Sequence, residues 1–561
     1  MTPALRYDRY YTYDELTETL RAWADEAPHL CRVDSIGSSY EGREIWLVTV
    51  TNFETGPDDE KPALLVEANI HSIEVTGCTA ALHLVHKLLS EHGSDEKVTR
   101  ALDTRAFYVV PRLNPDGAEL ALAERPRYVR SSVRRYPLAD PEDGLHSEDV
   151  DGDGRILQMR VPDPNGNWRK HPDDERLMVR RDPDEFGGDY FRVLPEGTIR
   201  NYDGVQIKLP GPPETLDLNR NFPGEWGPEA EQRGSGPYPT SEPEIRAIVQ
   251  AIVERPNVCA HLSYHTFSGV HLRPFGSHPD DHFPVGDLRA YLQIGEVATQ
   301  LTGYPAVSVF HEFAYQPKQS IKGTSDDFFY DQRGIFSWTT EFWSPQRQAG
   351  ITDYKYIDWI RDHPPEDDLK LLRWSDEQLG GRGHVEWYEH EHPELGTVEL
   401  GGWDTFYAWA NVPFEQLEAE VAPHSDFAVF HCLISPRLET RSLDVEPVGE
   451  GVHKIRLVLA NTGWLPTNVS EKALERKAVR DLEVELELPE GATLVSGEKV
   501  TKAGQLDGRV HKRSTLWWLT NDATTDLAKL EWVVAAPSGS SVGIVARHER
   551  AGTVRERVEL G

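Results

Sequence analysis

Residues 63–77 read ALLVEANIHSIEVTG, and the succession of residue types in this stretch decides the fold. The apolar run from Ala63 to Ile70 predicts a central strand buried on both faces. His71 and Glu74 follow at its end, so they leave the C-terminal edge of the strand together. Open α/β sheets place their chemistry at that edge, because the loops diverge there and leave a crevice. A neutral imidazole beside a carboxylate suits Zn²⁺, which takes nitrogen and oxygen ligands and needs a third from elsewhere.

Working outward, Thr12 and Glu15 make a capping box, and Leu16, Leu20, Trp23 and Ala27 recur at helical spacing, which predicts a helix over 13–27. Glu44–Thr51 is a strand, a helix starts near Cys78, and the strand Arg105–Leu113 ends in the turn Asn114-Pro115-Asp116-Gly117. Ser241 and Glu244 suggest a second capping box, opening a helix whose apolar stripe runs through Ile245, Ile248, Val249 and Ile252. Val258–Thr266 is a strand carrying His261 and His265, and Gly334–Trp343 is an apolar strand with one carboxylate, Glu341, near its end. Strands alternating with helices imply an α/β fold, a mixed and largely parallel sheet flanked by helices on both faces.

Residues 132–214 lose this periodicity to Pro, Gly and Asp, and are expected to form a large insertion over one sheet edge. After Pro436, Leu482, Val484, Leu486 and Leu488 alternate with glutamates. Short strands are expected at Ile455–Leu459, Thr515–Leu519, Leu530–Ala535 and Val542–Ala546. The division is therefore a catalytic-type domain over 1–436 and a C-terminal all-β sandwich over 437–561.

With 561 residues the chain has room for several cores, and 93 acidic against 59 basic residues leave a formal charge of −34. That balance excludes a nucleic-acid or anionic-membrane partner on electrostatic grounds. No apolar run reaches the ~18 residues needed to cross a bilayer, and the start, MTPALRYDRYYTYDEL, has no basic-then-apolar leader. A cytoplasmic location is expected from this. Cys31, Cys78, Cys259 and Cys432 lack C-x-x-C spacing and are expected to be buried free thiols.

Taken in order, NIHSIEVTG, RLNPDGAEL, DLNRNF, SYHTFSG and SWTTEFW resemble the motif set of the M14-type zinc metallocarboxypeptidases, over roughly residues 10–345. The resemblance implies one Zn²⁺ held by His71, Glu74 and His265, with water in the fourth position. It implies that Glu341 acts as the general base that takes the water's proton and returns it to the leaving amine. Asn219 and Arg220 would grip the free C-terminal carboxylate of a peptide substrate, a task that suits a planar guanidinium. Arg130, with Arg127 and Arg134 as competitors, would polarise the scissile carbonyl. Tyr315 would be the family's mobile tyrosine. Ser325 or Asp326 would form the base of the pocket for the last side chain, an Asp there selecting Lys or Arg. His261 is expected to be a core or supporting histidine.

Two features depart from the family pattern. About a hundred residues separate Gly117 from Asn219, several times the gap in the simpler pancreatic-type members. Within them Asp149, Asp151 and Asp153 copy the start of an EF-hand loop and suggest Ca²⁺, although the twelfth position is Arg160 rather than Glu. Two alternatives to the carboxypeptidase stand beside it. One is a related zinc amidohydrolase acting on cell-wall stem peptides or acylated amino acids, and the other is an inactive binding protein on the same scaffold.

Overall fold

The computed structural model describes residues 4–137, 140–314, 320–511 and 523–561. All six residues of the strand Ala63–Ala68 are buried. Successive strand side chains alternate between faces, and both faces here are covered. Leu64, Val66 and Ala68 pack with Leu82 and Val85 of the helix Thr76–Glu91 and with Phe427 of the helix Phe414–Leu433. Ala63 and Leu65 pack with Ile245, Ile248 and Ile252 of the helix Pro243–Val253. Double coverage is why the run is continuously apolar.

Eight strands form the main sheet, in the order Cys31–Ser38, Glu44–Val50, Ala106–Val110, Ala63–Ala68, Val258–Thr266, Phe336–Phe342, Val270–Arg273 and Ala306–Ser308. Ala63–Ala68 runs parallel to both neighbours, and Val258–Thr266 runs parallel to Phe336–Phe342, while the outer strands include antiparallel pairs. Parallel pairing brings the C-terminal ends of the three central strands to one edge. The register then sets Tyr264 beside Ala68 and His265 beside Glu341.

The first capping box forms as the sequence suggests, with Thr12 accepting from Glu15 N at the head of the helix Tyr13–Glu26. The second does not form. Glu242 is the N-cap of Pro243–Val253 without a side-chain cap bond, and its carboxylate instead binds the Arg134 guanidinium and the Ser241 hydroxyl. A charged bidentate pair outweighs a neutral cap here.

Residues 132–214 contain more regular structure than their composition suggests. Gly144–Ser147 pairs with Gly197–Arg200, and four further short strands join His384–His392 and Gly396–Trp403 in a six-stranded antiparallel sheet. Gln158–Pro162 makes the junction by pairing with Gly396–Trp403, more than two hundred residues downstream, and the other three pair within the insertion as segments of only three to five residues. The C-terminal strands form two four-stranded antiparallel sheets around Ile455, Leu457, Val484, Leu486, Trp532 and Ile544. The expected strand Thr515–Leu519 falls outside the described residues. All four cysteines are free and buried, and no helix among the described residues is long and apolar enough to cross a membrane.

Arg550, 1% exposed, ties the two halves together. Its guanidinium donates to the carbonyl oxygens of Arg333, Gly334, Asn468 and Ala478, and the first two of these lead directly into the strand Phe336–Phe342. Arg550→Met is expected to strand these acceptors and destabilise the protein by about 2–5 kcal/mol, read as a lowered urea midpoint. An unchanged midpoint would show that the seam is not held there.

Candidate metal centre and substrate cleft

After Ala68 the chain turns sharply, with Asn69 at φ 56°, and the Asn69 amide holds the turn by donating to the His71 carbonyl. This delivers His71 and Glu74 to the sheet edge just before the helix Thr76–Glu91. His71 Nδ1 lies 2.8 Å from Glu74 Oε1, and His265 Nδ1 lies 3.2 Å from both His71 Nδ1 and Glu74 Oε2. All three residues are buried, and one ligand atom from each lies within 4.8 Å of the others. The residues expected as a ligand set are thus brought together.

The far side of each ring determines which nitrogen faces the centre. His71 Nε2 sits 3.1 Å from Asp217 Oδ1, so that nitrogen is turned away from the centre. His265 Nε2 sits 2.8 Å from Ser263 Oγ, whose own hydroxyl donates to Glu67. Both Nδ1 atoms therefore face inward. Two imidazole nitrogens 3.2 Å apart beside a carboxylate present nitrogen, nitrogen and oxygen, the donors that zinc takes. The donor set fits the ion. Burial opposes charge on Glu74, yet the His71 and His265 imidazoles hold its carboxyl well below the usual range.

Asp217, within DLNRNF, joins the candidate site although the sequence analysis assigns it no role. Its spacing two residues ahead of Asn219 was the available signal. It caps Asn219 N, orients His71 and accepts from Arg130 Nε at 2.9 Å. Arg130, Arg220 and His71 hold its carboxyl well below the usual range against the effect of burial. Outer partners of this kind typically carry ~10–100-fold in metal affinity. Asp217→Asn is expected to weaken zinc binding by about that factor in a chelator competition, and parent-like affinity would remove Asp217 from the site.

Glu341 lines the cleft beside the three, 9% exposed. Burial pushes its carboxyl up to about 8, with Glu74 and Asp326 adding and His265 and Arg130 opposing. Among the three candidate arginines, Arg127 pairs with Glu214 and Arg134 with Glu242, whereas Arg130 reaches Asp217 and, at 3.5 Å, Glu74. Arg130, chosen over its two neighbours from the resemblance, is thus the one of the three that reaches the metal-site carboxylates. His261 is core. Its Nδ1 bonds Ser337 Oγ, its ring stacks on Phe329 at 3.7 Å, and burial pushes it well below the usual histidine range.

Asn219 Oδ1 accepts from Ser325 N at 2.8 Å, joining the two substrate-side segments. Gly323, at φ 70°, lies so close to the Arg220 carbonyl that a Cβ would meet it at 2.3 Å, so only glycine fits that junction. Ser325 and Asp326 are both buried, and Asp326 lies within electrostatic range of His265 and Glu341. Burial raises its pKa. Tyr315 lies outside the described residues. In the acidic loop, oxygens of Asp149, Asp151 and Asp153 come within 4.8 Å of one another. Arg160, at the EF-hand's twelfth position, bonds Glu399 across the neighbouring strand and supplies no ligand.

A mixed α/β sheet with two histidines and a carboxylate converging at its C-terminal edge defines a metallohydrolase. In comparisons with known proteins, a model described as zinc carboxypeptidase matches residues 16–358, and a domain of unknown function matches residues 437–559. This chain belongs to the zinc carboxypeptidase family, and its enzyme class is metallocarboxypeptidase. It is 24% identical over 382 residues to carboxypeptidase A2 of Rattus norvegicus, covering 64% of this chain and 72% of that protein. It is 23% identical over 343 residues to carboxypeptidase B of Astacus astacus, covering 59% and 86%. Among solved structures, carboxypeptidase A from Helicoverpa armigera aligns with TM-score 0.39 and 19% identity, covering 68% of this chain and 75% of that one.

Proposed function

We propose that the protein is a zinc-dependent exopeptidase that removes the C-terminal residue from peptides. The observation that carries this reading is the inward pair of Nδ1 atoms of His71 and His265 beside Glu74, with Glu341 on the adjacent strand. His71, Glu74 and His265 would hold Zn²⁺, which when bound would supply a Lewis acid to the cleft. Glu341 accepts a proton from the attacking water and returns it to the leaving amine, a role that a carboxyl raised by burial suits. Arg130, freed from Asp217 by an incoming carbonyl, stabilises the developing negative charge. Arg220 and Asn219 seat the terminal carboxylate, and Asp326 selects a basic last side chain. Calcium at Asp149, Asp151 and Asp153 belongs to the proposal as a structural ion outside the cleft.

The test is a set of blocked peptides that differ only in the last residue, each as free acid and as amide. Free acids ending in Lys or Arg are expected to be cleaved fastest, Arg220→Ala to damage free acids far more than amides, and Asp326→Ala to erase the basic preference. Equal cleavage of amides would refute the exopeptidase. Turnover confined to acylated amino acids or stem peptides would favour the amidohydrolase, and zinc content near zero would favour the inactive binding protein.

A further inference from the structure

The cleft at the metal centre encloses about 390 Å³ and extends beyond the residues that the reaction uses. Its lining includes His71, Glu74, Arg130 and Glu341, but not Arg220 or Asp326. The rest of the wall is mostly apolar, formed by Ile73, Phe267, Phe313, Tyr356, Ile357 and Ile360, with Thr266 and Arg361 as its polar members. Tyr356, Ile357 and Ile360 lie on the short helix Tyr356–Arg361. The zinc carboxypeptidase match ends at residue 358, so Ile360 stands beyond it.

This helix is fastened from behind. Trp359 is buried, donates its indole N–H to Asp367 Oδ2 at 2.9 Å and stacks on His363 at 4.0 Å. Tyr356 meets Phe313 face to face and Phe267 edge-on, both at 5.9 Å. Ile360 is left 48% exposed, and it faces the cavity. A single exposed isoleucine means little, but one that completes an apolar wall continuous with the reaction centre has a specific use. The seats assigned to the terminal carboxylate and last side chain are not part of this wall. The occupant it fits is therefore the substrate on the other side of the scissile bond.

Resting on the exopeptidase reading, we propose that the helix Tyr356–Arg361 forms a subsite for the penultimate residue, selecting a bulky apolar side chain through Ile357 and Ile360. Apolar pockets of this kind discriminate by about tenfold or more for each added piece of side chain. With a constant last residue, blocked dipeptides with penultimate Leu or Phe are expected to show kcat/KM at least tenfold above those with penultimate Gly. Ile360→Asp is expected to bring that ratio toward one, and Ile360→Met to preserve it. A ratio near one in the parent would overturn the subsite and leave the exopeptidase standing. No turnover of any member of the series would overturn the exopeptidase and the subsite with it. If Ile360→Asp shifts the elution volume in size-exclusion chromatography while the ratio holds, the wall is instead a contact between copies of this chain, and the subsite is overturned.

Discussion

Glu341→Gln is expected to lower kcat by ~10²–10⁴-fold while zinc content and substrate KM stay near those of the parent. The amide is nearly isosteric with the carboxyl but cannot accept a proton from water. The side chain lines the cleft, so an amide of the same shape keeps its packing. The fold therefore gives no reason for collapse, and the loss should fall on the chemical step. Steady-state kinetics with metal analysis of the same sample reads both quantities. Activity within tenfold of the parent would assign the base to another residue.

His71→Ala and His265→Ala are each expected to abolish stoichiometric zinc and activity together. Each removes one of three donors and leaves the others facing a hole, a larger loss than the ~10–100-fold that an outer partner such as Asp217 carries. The two variants differ in what they abandon. Without His71, Asp217 keeps Arg130 as its partner, whereas without His265 the Ser263 hydroxyl keeps only Glu67. Zinc measured after gel filtration in chelator-free buffer decides the matter, and full occupancy in either variant would remove that histidine from the ligand set.

Much of the centre was legible because it is written locally. The apolar run Ala63–Ile70, the H-x-x-E step after it and the single carboxylate in GIFSWTTEFW each combine a periodicity with a chemistry-bearing residue at a strand end. Asp217 stands two residues ahead of Asn219, but that spacing does not name the histidine it meets, 146 residues away. The preference for Arg130 over Arg127 and Arg134 rests on the resemblance alone, because their spacing is similar and only their partners Asp217, Glu214 and Glu242 distinguish them physically. The insertion hid its strands because they are only three to five residues long, and the one that joins them to the hairpin of residues 384–403, Gln158–Pro162, meets its partner Gly396–Trp403 far along the chain.

The amino-acid sequence by itself determined the α/β class and which chemistry-bearing residues stand at strand ends, His71, Glu74, His265 and Glu341 among them, because hydrophobic period and side-chain chemistry are local properties. The roles proposed for them came from the resemblance of its motifs. Only the tertiary structure decided which nitrogen of each histidine faces inward, which arginine enters the cleft, and that the helix Tyr356–Arg361 walls one side of it. Those outcomes depend on parallel strand register and on side chains distant in the chain meeting at one edge. Such meetings are fixed by packing across the whole core, and no window of sequence contains them.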